Sequence, residues 1–180
     1  ANMGGKTVVL KMAALCQLLF QFGFGIPAGN AVIDIKDSVS LFIGDEECPE
    51  RGLSAFGAEV GRISAVIEDA RAGKRCLALL DEPARTTNPE EGTALVAALL
   101  KIIDGMPGDL LLTTHYNIPE AVGRRIRVKG LRGEVMDYSL QEVTGGQTPH
   151  EAIAVAQSLG ADSQWIATAK EIVEKTLKQQ

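Results

Sequence analysis

Three long stretches of the chain carry apolar residues at helical spacing. The pattern predicts helices over residues 6–22, 55–72 and 90–103. In the first stretch apolar side chains fall on nearly every face, which is typical of a helix that is largely buried. Residues 7–28 are apolar enough to suggest a membrane span. Lys11 and several glutamines, glycines and a proline interrupt them, so a buried helix is the better interpretation.

Strands are predicted where short runs are apolar or rich in β-branched residues. Residues 76–80 form a continuous apolar run, the pattern of a parallel strand buried on both faces, and residues 110–114 repeat it. Further strands are predicted at residues 31–35, 39–43, 125–128 and 133–140, the last two as a late antiparallel pair. Strands that alternate with helices predict an α/β fold. Its mainly parallel sheet is flanked by helices, and its functional groups lie at the carboxyl ends of the strands.

Two shorter helices are predicted near the end of the chain. They cover residues 149–159 and 163–178 and are joined by a turn at residues 160–162. We therefore expect a core domain at residues 1–144 and a helical tail at residues 145–180.

The composition favours a globular protein with a sizeable core. The 180 residues carry a formal net charge of −5, so DNA binding would need a local basic patch or parts outside this chain. The three cysteines are widely separated and have no histidine at metal-ligand spacing. This pattern indicates reduced thiols and favours a cytoplasmic protein over a disulfide-stabilised or zinc-binding one.

The chain opens on a phosphate-loop motif. Residues 1–7 match G-x-x-x-x-G-K-[ST], except that the first glycine and the strand that leads into such a loop would lie before residue 1. Glycines let backbone N–H groups surround phosphates, the lysine neutralises β- and γ-phosphate charge, and the threonine hydroxyl ligates Mg²⁺. The candidate nucleotide-binding residues are Asn2, Met3, Gly4, Gly5, Lys6 and Thr7. The alternative is an ordinary glycine-rich turn before a helix.

An aspartate and a glutamate follow the apolar run at residues 76–80. Asp81 is in position to hold Mg²⁺ through water, and Glu82 to orient and deprotonate the water that attacks the γ-phosphate. An Asp-Glu pair more commonly opens a solvated loop. Here a phosphate loop precedes it on the expected elements, which favours catalysis.

His115 follows the next predicted buried strand. A histidine there can sense the γ-phosphate or position the water, although a lone histidine at a strand end is more often structural. The order of phosphate loop, acidic pair and histidine favours the functional role. His150 has no such context and is expected at the surface or at a helix cap. The sequence therefore predicts Mg²⁺-dependent ATP hydrolysis.

Four segments together resemble the ATPase domain of MutS-family proteins. They are residues 2–7, Leu53-Ser54-Ala55-Phe56 with Glu59, residues 80–82 followed by 86–92, and Thr113-Thr114-His115-Tyr116. The resemblance spans nearly the whole chain. It implies a P-loop NTPase fold of the ATP-binding-cassette type, with a C-terminal helical pair that helps the domain to dimerise.

The same resemblance implies a homodimer in which two subunits sandwich ATP. Ser54 would reach the γ-phosphate bound by the partner, although its position also suits a plain helix N-cap. The resemblance further implies that nucleotide state controls a DNA clamp in mismatch repair, with the DNA contacts outside this chain. Residues 51–53 and 83–85 depart from the pattern usual in that family.

A second resemblance offers an alternative function. Residues 81–89 are similar to those of MutS-like ATPases associated with reactivation of adenosylcobalamin-dependent aminomutases, which implies a chaperone acting on a partner enzyme. A degenerate fold used only for dimerisation is disfavoured, because the lysine, threonine, acidic pair and histidine are all retained.

Five basic residues between positions 124 and 132 form the one basic stretch of the sequence that could bind phosphates. On a strand, Arg125, Arg127 and Lys129 would share one face. A solvated edge strand protected by its charges is the favoured interpretation, because no aromatic residues interleave with them to stack bases.

Overall fold

The computed structural model describes residues 5–43, 52–118, 123–132, 135–143 and 151–177. The chain divides into two compact units, one formed by residues 6–123 and the other by Gly5 together with the described residues from Arg124 onward. Among the helices of these described ranges, none is both long enough and apolar enough to cross a lipid bilayer.

The first unit is a three-stranded sheet with helices on its faces. In chain order its elements are α1 (Lys6–Gln21), β1 (Ser38–Phe42), α2 (Gly52–Arg71), β2 (Cys76–Asp81), α3 (Pro89–Ile103) and β3 (Gly108–Thr113). β2 lies between β1 and β3, and both pairings are parallel. The α/β class and the parallel sheet flanked by helices are therefore confirmed.

β2 lies at the centre of the hydrophobic core. Its first five residues are all buried, as its continuous apolar sequence predicts. The core cluster on one face consists of Leu10, Ala14, Leu77 and Leu79. The alternate side chains of β2 point to the opposite face, and α2 also contacts the strand.

The ends of β2 and β3 meet at one edge of the sheet. In the parallel register Asp81 lies opposite Thr113. α3 follows the turn after β2 and begins with a cap, because the side chain of Asn88 accepts a hydrogen bond from the N–H of Glu90 at 2.8 Å. The cap and Pro89 fix the start of the predicted third helix.

α1 is less buried than its apolar sequence predicts. One side of the helix faces the sheet, and there Leu10, Ala14 and Gln17 are buried. The outer side leaves apolar side chains in solvent, among them Val8 at 60% exposure and Leu15 at 47%. The prediction of a largely buried helix is wrong for this side, because apolar residues around a helix do not by themselves supply a packing partner for every face.

Residues 31–35, predicted as a strand, do not form one. Side chains of α1 bind the backbone of this segment and of Lys36, which follows it, instead. Gln17 donates to the carbonyl of Asp34 at 2.9 Å. Gln21 accepts from the N–H of Lys36 at 3.0 Å and donates to its carbonyl at 3.2 Å. These bonds satisfy backbone groups that a strand would pair in a ladder.

α2 begins at Gly52, whereas the sequence predicted a start at residue 55. Ser54 therefore lies within the first turn of the helix rather than at its N-cap, and its side chain is outside the described residues. Residues 44–51, which precede the helix, lie outside the described residues as well.

The second unit contains a strand pair and a helical pair. Its elements are β4 (Ile126–Arg132), β5 (Val135–Glu142), α4 (Glu151–Ser158) and α5 (Ser163–Leu177). β4 and β5 are antiparallel, and α4 packs against α5. The late strand pair and the C-terminal helices are confirmed. The division near residue 145 into a core and a dimerising tail stays a prediction.

Basic residues in and before β4 have acidic neighbours on β5. Arg124 forms an ion pair with Glu142 at 3.1 Å, and Lys129 lies 4.0 Å from Asp137. The pairing supports the interpretation of this stretch as a charged, solvated strand rather than as a phosphate-binding patch.

Candidate active site

The start of α1 and the carboxyl ends of β2 and β3 bring the predicted site residues together. α1 begins at Lys6, and the strands end at Asp81 and Thr113. Gly5, which precedes the helix, has a φ of +65°, a left-handed conformation that glycine adopts without strain. Lys6, Thr7 and Asp81 therefore lie together at the edge of the sheet where the sequence predicted the functional groups.

Asp81 is held by two hydroxyl groups. Thr7 Oγ1 donates to Asp81 Oδ2 at 2.5 Å, and Thr113 Oγ1 donates to Asp81 Oδ1 at 2.5 Å. Carboxylate and hydroxyl oxygens suit Mg²⁺, which takes one or two carboxylates together with water and substrate phosphates. Within the described residues, no group of three His, Cys, Asp or Glu side chains could hold a metal ion. Asp81 and Thr7 fit an ion that is shared with phosphate.

Lys6, Glu82 and His115 form a second cluster beside Asp81. Lys6 Nζ donates to Glu82 Oε1 at 3.0 Å and lies 3.1 Å from Nε2 of His115. The same ring nitrogen contacts Glu82 Oε1, and Arg85 adds a cation 3.7 Å from Glu82 Oε2. Only 10% of the Glu82 side chain is exposed, so its neighbours balance its charge more than bulk water does.

The surroundings of His115 favour its neutral form. Burial, followed by the charge of Lys6, lowers the pKa of the ring below 6.5, against the opposing effect of Glu82. With its hydrogen on Nε2, an assignment that follows from the contacts, the ring donates to Glu82. It then offers Nδ1, 3.4 Å from Lys6 Nζ, as an acceptor. A neutral ring in this place donates a hydrogen bond from one nitrogen and accepts one at the other.

The remaining predicted residues are described only in part. Asn2, Met3 and Gly4 lie outside the described residues, as does the side chain of Ser54. Their roles in binding nucleotide, in one subunit or across a dimer, stay predictions.

Thr113 is a site residue to which the sequence assigned no role. Its hydroxyl also accepts from the N–H of Glu82 at 3.0 Å, so it contacts both acidic residues. The signal that could have revealed it was its place at the end of a strand predicted to lie parallel to β2, since such ends meet at one edge.

Comparison with known proteins places the chain in a family. Residues 1–177 match MutS domain V, the ATPase domain of MutS proteins. The chain is 33% identical to the endonuclease MutS2 of Levilactobacillus brevis over 183 residues, which cover 97% of this chain and 23% of that protein. Identity is 33% with the endonuclease MutS2 of Thermomicrobium roseum, covering 96% of this chain and 22% of that protein. It is 31% with that of Fusobacterium nucleatum, with 98% and 23% covered.

The chain spans less than a quarter of the length of these relatives. The matched residues include Lys6, Thr7, Asp81, Glu82 and His115, which the fold brings together. Because that match extends over almost every residue, the chain belongs to the MutS family, in which it corresponds to the ATPase domain, domain V.

Proposed function

We propose that this domain binds and hydrolyses ATP with Mg²⁺ at a homodimer interface of a MutS-like DNA mismatch repair protein, in which nucleotide state controls a DNA clamp. The observation that carries the proposal is that five residues from distant parts of the sequence lie in contact with one another at one edge of the sheet. These residues are Lys6, Thr7, Asp81, Glu82 and His115. In a P-loop NTPase of the ATP-binding-cassette type, such groups bind phosphate, bind metal and activate water.

Thr7 and Asp81 are the residues that would hold Mg²⁺. Their hydroxyl and carboxylate oxygens lie side by side, and bound Mg²⁺ would offset negative charge on the β- and γ-phosphates. Thr113 fixes the orientation of the Asp81 carboxylate through its bond to Oδ1.

ATP would redistribute the charges of Lys6 and Glu82. The two side chains pair at 3.0 Å, and the β- and γ-phosphates compete with the carboxylate for the same ammonium group. When Lys6 binds phosphate, Glu82 becomes available to accept a proton from the attacking water. The neutral ring of His115, which contacts Glu82, orients that water or senses the γ-phosphate. Binding of ATP to Lys6 would thereby free the Glu82 carboxylate to act as the base.

A second copy of the chain completes the site in this proposal. Ser54 lies in the first turn of α2, and a helix N-terminus favours negative charge. From there it would reach the γ-phosphate bound by the partner. Turnover is then expected to rise with protein concentration, because each site needs a residue from the other copy.

DNA contacts are assigned to regions outside this domain. The chain carries a net charge of −5, and the basic residues near β4 have acidic neighbours. The MutS2 relatives support a MutS-family function and do not favour the alternative of an aminomutase reactivase. Their name, endonuclease, belongs to proteins of which this chain covers less than a quarter. The free thiols of Cys16 and Cys76 suit the reducing cytoplasm in which we place the protein.

Steady-state ATP hydrolysis by the intact protein tests the proposal. Turnover is measured with Mg²⁺, with the metal chelated, and with and without heteroduplex DNA. We expect Glu82→Gln to bind ATP but to lower turnover about 100-fold or more, because an amide does not accept the proton. Glu68→Gln removes an exposed acid from α2 and is the matched control, with turnover unchanged.

The outcomes separate the parts of the proposal. Unchanged turnover in Glu82→Gln would remove Glu82 from the catalytic role, and loss in Glu68→Gln would point to damage of the fold. DNA-dependent turnover would support the clamp. Turnover indifferent to DNA would favour the remodelling of a partner protein.

A further inference from the structure

The turn that follows β2 has an unusual backbone. Glu82 has a φ of +49° and Ala84 a φ of +62°, both in the left-handed region that side chains other than glycine rarely adopt. Such a conformation is strained in any residue that carries a Cβ, because the Cβ comes too close to the following carbonyl oxygen. It persists only where surrounding contacts hold it, and residues of this kind cluster at functional sites.

Two side chains bind the backbone of Ala84, one at its N–H and the other at its carbonyl. The carboxylate of Glu59, on α2, accepts from the N–H of Ala84 at 3.2 and 3.3 Å. The hydroxyl of Tyr116, just after β3, donates to the carbonyl of Ala84 at 2.8 Å. Ala84 is 4% exposed, so water would replace these two bonds poorly if they were lost.

The ring of Tyr116 packs against Gly92 of α3, where a larger residue would clash with it. A Cβ placed on Gly92 of α3 would lie 2.3 Å from the Tyr116 oxygen and 2.5 Å from its Cζ. Tyr116 is fixed further by its own N–H, which donates to Thr114 Oγ1 at 2.9 Å. The turn is therefore held by groups from α2, from α3 and from the segment after β3.

The direction of the Glu82 side chain depends on this turn. Pro83 lies between the two left-handed residues, and its ring fixes its own φ. If Ala84 relaxed to an ordinary conformation, the chain at Glu82 would turn with it. The carboxylate would then leave its contacts with Lys6 and His115.

We propose that Glu59 and Tyr116 are positioning residues that hold the turn after β2 and thereby aim the Glu82 carboxylate. The inference rests on the proposed ATPase function, and it names the side chains on which that function's geometry depends. Neither residue touches the reacting atoms. Their removal therefore lowers the rate of the chemical step and leaves nucleotide binding intact.

The experiment measures kcat for ATP hydrolysis and ATP affinity in the intact protein carrying Tyr116→Phe, Glu59→Ala or Glu59→Gln. We expect the first two to lower kcat about tenfold to 100-fold, since a displacement of about 1 Å in a catalytic group has effects of this size. ATP affinity stays within about twofold of wild type. Glu59→Gln keeps an oxygen that can accept from Ala84 and is expected to restore most of the rate.

Matched controls come from the same helix and the same residue type. Tyr138→Phe removes a phenol hydroxyl from a side chain that is 61% exposed, and Glu68→Ala removes an exposed carboxylate from α2. Both are expected to keep the wild-type kcat. Gly92→Ala displaces the Tyr116 ring and should reproduce the loss seen in Tyr116→Phe. At Gly61, on α2, an added Cβ meets no described atom within 4 Å, so Gly61→Ala keeps the rate.

The outcomes distinguish a failure of the positioning role from a failure of the proposed ATPase function. If Glu82→Gln abolishes turnover but Tyr116→Phe and Glu59→Ala leave kcat unchanged, the positioning role is wrong and the ATPase proposal stands. Equal losses of kcat and ATP affinity in these variants, or no rescue by Glu59→Gln, would show a general structural role and overturn the inference. Absence of turnover in the wild-type protein, or indifference to Glu82→Gln, would overturn the proposed function itself.

Discussion

Two parts of the molecule carry close ion pairs in different surroundings. At the end of β2, Glu82 is 10% exposed and contacts three basic side chains. At the end of β5, Glu142 is 53% exposed and pairs with Arg124, which is 74% exposed. The distances to lysine and arginine are nearly the same, 3.0 and 3.1 Å. Burial, and not distance, distinguishes the two regions.

The comparison shows what charge in a sequence does and does not indicate. The stretch at residues 124–132 contains more basic residues than the predicted phosphate loop, yet its Arg124–Glu142 pair lies in solvent, where water and salt weaken it. The single lysine of the loop meets a shielded carboxylate and a histidine whose pKa is shifted. Shielded groups with perturbed protonation are typical of sites that perform chemistry.

Removal of Lys6 is expected to have the largest effect. Lys6→Met takes away the cation that binds phosphate and leaves Glu82 with less compensation, so ATP turnover should fall about 100-fold or more. Steady-state hydrolysis and nucleotide binding measure the change. Lys11→Met alters an exposed lysine on the same helix and should leave both unchanged. Turnover preserved in Lys6→Met would mean that the shielded cluster is structural.

Thr113→Val tests how firmly the acidic pair is held. The substitution keeps the shape of the side chain but removes the hydroxyl that binds Asp81 and the N–H of Glu82, which should lower the free energy of unfolding by about 1–3 kcal/mol. Urea denaturation followed by circular dichroism measures the loss. Thr168→Val, at an exposed position of α5, is the control. Equal stability of the two variants would show that the Thr113 hydroxyl contributes nothing.

The shifted pKa of His115 predicts a pH dependence of stability. Well above pH 6.5 the ring is neutral in the folded and unfolded chains, so its titration does not affect stability. As pH falls below 6.5, the unfolded chain takes up a proton that the folded site resists, and the free energy of unfolding falls until the folded ring is protonated too. Urea titrations between pH 8 and pH 5 should therefore show a steeper loss in wild type than in His115→Asn. Parallel curves would contradict a depressed pKa.

Removal of the exposed Arg124–Glu142 ion pair is expected to have the smallest effect on activity and stability. Arg124→Ala removes a solvent-exposed cation next to Glu142, and we expect neither ATP turnover nor the urea midpoint to change measurably. Measurement at low and moderate salt checks this. A loss of turnover in Arg124→Ala would mean that the second unit contributes to activity. The exposed pair and the shielded cluster would then no longer differ in function.

Much of the fold follows from local sequence patterns. The continuous apolar run of β2, the capped start of α3 and the two C-terminal helices depend on neighbouring residues, and these elements lie close to their predicted bounds. The segment at residues 31–35 was mispredicted, because side chains of α1 bind the backbone at Asp34 and at the following Lys36. No pattern of apolar positions encodes such a contact.

In the candidate site, too, local sequence patterns predict some residues, and tertiary contacts determine the others. The phosphate loop, the acidic pair and the histidine could be predicted because each follows or precedes an element with a clear pattern. The bonds of Glu59 and Tyr116 to Ala84 join residues 25 and 32 positions apart, and they depend on how α2 and β3 pack around β2. Local spacing carries no information about that packing.

The parallel register of the sheet has a consequence for the order of folding. Lys6 and Thr7 meet their acidic partners across 76 and 74 positions of chain, and each neighbouring strand pair closes a long loop. Pairings of such high contact order are slow to form, because loop-closure entropy is lost before the contacts compensate for it. We expect the contacts of Lys6 and Thr7 with the acidic pair to form late on the folding pathway, after β2 has paired with both of its neighbours. ATP would then bind only the completed native state and slow its unfolding.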